Sequence, residues 1–65
     1  MTVQDMVQYL MTRNWSARDI ESAIGHRTSV RSVYRWARGE REPKTRSTVE
    51  ALRALVAEVQ AGREA

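Results

Sequence analysis

The chain has 65 residues, with 11 Lys and Arg against 8 Asp and Glu, a formal charge of +3 and no cysteine. That length holds one domain, residues 1–65, which buries roughly 60% of its unfolded surface and folds with little margin. Disulfides and thiolate metal sites are excluded, and no apolar run approaches the roughly 20 residues that cross a bilayer.

Val3, Met6, Val7, Leu10 and Met11 recur at the three-and-four spacing of an amphipathic helix over about residues 2–13. Thr2 suits its N-cap, Asp5 stands three residues on as in a capping box, and Asn14 ends it. The next start signal is more complete. Ser16 caps, Asp19 takes the third helical position, and Trp15 and Ile20 are spaced as a hydrophobic staple across the entrance. This second helix, about residues 17–24, stops at Gly25, which turns without steric cost. Asp19 and Glu21 both read as acidic charge at a helix start.

After the turn His26-Arg27-Thr28, either Thr28 or Ser29 caps a third helix over about residues 29–38. It carries Val33 and Trp36 inward and stops at Gly39. The loop from Glu40 to Lys44 contains the only proline, Pro43. A fourth helix, about residues 46–61, begins near Thr45 or Ser47, with Ser47 and Glu50 again spaced as a capping box. Val49, Leu52, Leu55, Val56 and Val59 line its apolar face, and Gly62 ends it. No segment reads as a strand, so the expected fold is an all-α compact bundle of four to five helices, with Ile20, Ile24, Val33, Trp36 and Leu52 as core anchors.

Charge is unevenly distributed along this pattern. Arg27, Arg31, Arg35, Arg38, Arg41, Lys44 and Arg46 crowd one third of the chain, against only Glu40 and Glu42. Such a cluster suits a polyanionic partner, although charge runs also serve simply as solvated faces. Catalysis finds little support. His26 stands alone, there is no second His or Cys to build a nucleophile or metal site, and no glycine-rich phosphate loop occurs. No enzyme activity, metal, cofactor, small-molecule substrate or membrane association is expected. The N-terminus lacks the basic-then-apolar order of a signal peptide, which points to a cytoplasmic protein.

The segment Ser32-Val33-Tyr34-Arg35-Trp36-Ala37-Arg38-Gly39, followed by Pro43, resembles the third helix and exit loop of the Cro and lambda-repressor-like (XRE-type) helix-turn-helix family. The resemblance covers roughly residues 14–56. One departure stands out: from Gly25 to Val33 is two residues longer than that family's usual spacing, which places the extra residues in the turn around His26 and Arg27. The resemblance implies a third helix in the major groove of DNA, with Ser29, Val30, Arg31, Tyr34 and Arg35 facing base edges. An arginine fork matches guanine O6 and N7, and Val30 suits either a thymine methyl or the core. Arg27, Thr28, Arg38, Arg41, Lys44 and Arg46 are then expected on the DNA backbone, and Ser29 also suits a phosphate near the helix start.

The resemblance therefore implies a sequence-specific transcriptional regulator, a Cro-like repressor of bacterial or phage type. It would bind double-stranded operator DNA, an inverted repeat, as a homodimer. The pairing surface is not legible in the sequence; the outer half of the last helix, with Val56 and Val59, is the candidate taken for it. Two alternatives stay open. One is a protein-binding or antitoxin-like module using the same basic helix face. The other is RNA binding, which lacks the stacking sheet or glycine loop of the usual RNA modules.

Overall fold

In the computed structural model, which describes residues 1–65, the first helix, α1 (Val3–Thr12), opens on a reciprocal capping box. Thr2 Oγ1 accepts from the Asp5 backbone N–H at 3.0 Å, and Asp5 Oδ2 accepts from the Thr2 N–H at 3.1 Å. α1 buries Val3, Met6, Val7 and Leu10, while Met11 is only half-buried. Asn14, at φ 69°, takes the left-handed conformation that ends the helix. α2 (Ala17–Ala23) opens the same way on Ser16 and Asp19, at 3.1 and 3.0 Å. Trp15 and Ile20, the expected staple pair, are both buried.

The turn after α2 contains two consecutive left-handed residues, Gly25 (φ 87°) and His26 (φ 55°). The second is not a glycine and is held by its surroundings: its N–H donates to the Glu21 carbonyl, and its Nδ1 lies 2.7 Å from Glu21 Oε1. Glu21 thus serves the turn rather than the helix start.

α3 (Val30–Ala37) is capped by Ser29, whose hydroxyl accepts from the Ser32 N–H at 3.2 Å. Gly39, at φ 76°, follows its last turn, and a Cβ there would stand 2.9 Å from Gln4 Oε1. The positive φ is what favours glycine here, since the exposed Gln4 side-chain tip can swing aside. Gln8 of α1 also donates to the Ala37 carbonyl at 2.9 Å, satisfying one of the free acceptors at the α3 C-terminus.

α4 (Arg46–Gln60) overturns one expectation. Its N-cap is Thr45, no side chain caps it, and the Ser47–Glu50 box does not form. The loop delivers Thr45 to the cap position, so Ser47 lies inside the first turn. There Thr45 Oγ1 sits 2.8 Å from Thr48 Oγ1 and 3.3 Å from Ser47 Oγ.

The molecule has four helices and no strand. α1 packs on both α3 and α4, and α2 packs on α3. Fourteen apolar residues form one core, including all five expected anchors; Ile20, Val33 and Leu52 have no exposed surface. Trp15 is part of it, its indole N–H buried without an acceptor and its ring under the Arg63 guanidinium at 5.4 Å. Val56 and Val59 are core residues as well, 6% and 8% exposed, so they leave little apolar area for the pairing surface expected of them. No helix is long and apolar enough to cross a membrane.

Trp36, 4% exposed, is the largest side chain that α3 contributes to the core. Trp36→Ala is expected to cost about 3–5 kcal/mol. A chain of this length has only about 3–10 kcal/mol in total. A thermal melt followed by circular dichroism should lose most of its cooperative transition, and a melt near that of the wild type would show the indole to be dispensable. The capping carboxylates give a pH signature. The Thr2 backbone N–H, then its hydroxyl, holds the Asp5 pKa below the ordinary value, and Ser16 acts likewise on Asp19. Groups depressed on folding stabilise above the unfolded Asp value, about 3.9, and that stabilisation is lost as pH falls through the native pKa. Asp5→Asn and Asp19→Asn should therefore lower the melting temperature at neutral pH and reduce its further fall on acidification below about pH 4.

Candidate functional site

With Val33 and Trp36 turned inward, α3 leaves its opposite face open. Arg31 is exposed there, and Tyr34, 51% exposed, is one of two large apolar or aromatic side chains left on the surface; the other is Met1. Ser29 is exposed beside them, although its hydroxyl already serves the helix cap and lies 3.1 Å from Ser32 Oγ. Val30 is half-buried and packs against the core, which leaves little of it for a base.

Arg35 goes elsewhere. It is half-buried and lines a groove of about 390 Å³ between the α2–α3 turn, α3 and the entrance to α4. Arg27 comes to this groove from the turn, and Arg41 and Lys44 come from the exit loop. Glu42 is the one carboxylate among these four cations. Hydroxyls of Thr28, Ser32 and Thr45 complete the polar wall, and Trp36 is its single hydrophobic side chain. A concavity lined by one sign of charge focuses potential inside it. The uncapped N-terminus of α4 adds partial positive charge on the same side.

The other expected backbone cations differ from these four. Arg38 is ion-paired with Glu40 at the surface, which spends part of its charge locally. Arg46, the first residue of α4, is exposed outside the groove lining. Arg27 is already committed in part: its Nε donates to the Ile24 carbonyl at 2.9 Å and its Nη1 to Ser47 Oγ at 3.1 Å. It ties the end of α2 to the first turn of α4, and its remaining N–H groups are left for other acceptors.

Sequence reasoning missed Ser32 and Thr48, which also border the groove. Thr48 is the one buried polar residue, 6% exposed, and its Thr45 partner at i−3 was the available signal. The support that Gln8 gives to the end of α3 spans 29 residues and carries no local signal. His26 has Glu21 as its partner, and no group of three His, Cys, Asp or Glu side chains converges anywhere.

Comparison with known protein families, with curated proteins and with solved structures finds no match for this chain.

The Arg27–Ser47 contact is testable by itself. Arg27→Ala and Ser47→Ala should each lower the melting temperature, and the double variant should lose less than their sum, a coupling of about 0.5–1.5 kcal/mol. Strict additivity would show that the turn and α4 are not joined through this pair.

Proposed function

We propose that the protein is a sequence-specific regulator that binds double-stranded DNA through a helix-turn-helix of the Cro and lambda-repressor type, formed by α2, the enlarged turn and α3. The observation that carries this reading is the division of α3. Val33 and Trp36 hold one face in the core, while Arg31 and Tyr34 stand exposed on the other, beside a groove with four cations. An eight-residue helix is about 12 Å long, comparable to the width of the major groove. Within this reading Arg31 is the arginine free to fork onto a guanine, with Tyr34 and Ser29 beside it. Arg41, Lys44 and Arg46 supply sequence-independent attraction to the backbone.

Two copies on an inverted repeat remain part of the proposal, as does action by occlusion of a promoter in the cytoplasm of a bacterial or phage-infected cell. The pairing is assigned to the DNA-bound state. Val56 and Val59 are spent in the core, and Met1 and Tyr34 are the large exposed apolar side chains, whereas stable dimers bury broad apolar surfaces. A second reading draws on Tyr34 among arginines, a composition typical of protein interface anchors, with an acidic protein as partner.

Selection of bound sites from a random duplex library at near-physiological salt tests the proposal. The expected result is an enriched motif of two inverted half-sites about 10 base pairs apart. Arg31→Ala should then cost about 1–3 kcal/mol at one base position and relax preference there. Binding that falls steeply with salt and yields no motif would overturn the sequence-specific reading and favour the acidic protein partner.

A further inference from the structure

We infer that the groove between the α2–α3 turn, α3 and the start of α4 is a discrete seat for a phosphate group, and that Arg35 grips phosphate there alongside Arg41 and Lys44 instead of reading bases. The inference deepens the DNA reading, on which it rests only in naming the duplex backbone as one source of that phosphate. Arg31 and Arg35 are one helical turn apart and alike in sequence, yet the fold treats them differently. Arg31 is exposed and outside the groove, whereas Arg35 is half-buried in its wall.

The cations that meet Arg35 come from separate segments and are balanced by Glu42 alone. Like charges gathered in a concavity repel until an anion enters, and a phosphate offers oxygens for several charge-assisted hydrogen bonds at once. Arg27 shapes the wall, since two of its donors are already bound to Ile24 and Ser47. Neutral donors are present too. Thr28, Ser32 and Thr45 line the groove, and the first-turn N–H groups of α4 lack the side-chain cap that each of the other three helices has. The chemistry selects phosphate, borne either by a duplex backbone or by a small phosphorylated molecule.

The test uses the whole chain, labelled for NMR and titrated with inorganic pyrophosphate at constant ionic strength, then with duplex DNA. Pyrophosphate is expected to shift the Arg46–Thr48 amides and the Arg35 and Arg41 Nε signals saturably. The shifts should vanish in the Arg41→Gln/Lys44→Gln double variant, whose melt should stay near wild type because both side chains are exposed. Shifts that never saturate, or that spread equally to Arg13 and Arg53, would overturn the seat. On duplex, Arg35→Gln should weaken all sequences alike and reduce the salt slope by about 0.9, one phosphate contact. A relaxed base preference with the slope intact would make Arg35 a reader and overturn its assignment. Saturable pyrophosphate binding without duplex binding would uphold the seat for a small phosphorylated ligand while removing the DNA reading. Duplex binding without pyrophosphate binding would do the reverse.

Discussion

An eight-residue helix has no stability of its own in water, because so few hydrogen bonds do not repay nucleation. α3 therefore depends on the burial of Val33 and Trp36 against α1 and α2. Everything on its outer face inherits orientation from those two contacts. With its inward residues at positions 33 and 36, the helix presents Arg31 and Tyr34 outward, turns Arg35 toward the loop and presses Val30 back against the core. The ends are fixed independently. Ser29 caps the start, while Gln8 of α1 binds the Ala37 carbonyl at the finish.

The charge arrangement sits on top of that packing and works against it. Four cations around one groove repel one another, and nothing in the turn or the loop is apolar enough to hold them together. The backbone around them is shaped by the left-handed pair Gly25 and His26, the Arg27 links to Ile24 and Ser47, and the α4 entrance at Thr45. One carboxylate, Glu42, tempers the repulsion in the groove, while Glu40 is paired with Arg38 outside it. The arrangement suits a surface that is completed by an anion.

Much of the fold was legible because its signals are short-range. The Thr2–Asp5 and Ser16–Asp19 pairs form the boxes their spacing announces, and the apolar residues of all four helices reach one core. The same spacing at Ser47 and Glu50 misled, since a capping box requires its first residue to be the N-cap. That position went to Thr45. Of the candidate site, the basic cluster and the open α3 face were visible in advance. The partition of its members was not. Arg31 and Arg35 are indistinguishable by periodicity, and Val30 fits either the core or the surface by its distance from Val33.

By itself, then, the amino-acid sequence determined an all-α chain, the caps of its first two helices, the glycine stops and most of the core, because capping and periodicity act within a turn or two of chain. Only the tertiary structure decided which arginines share a groove, that Val56 and Val59 are consumed inside the monomer, and that Gln8 secures the far end of α3. Those outcomes depend on which elements meet in space. Contacts between residues far apart in the chain leave no periodic trace in it.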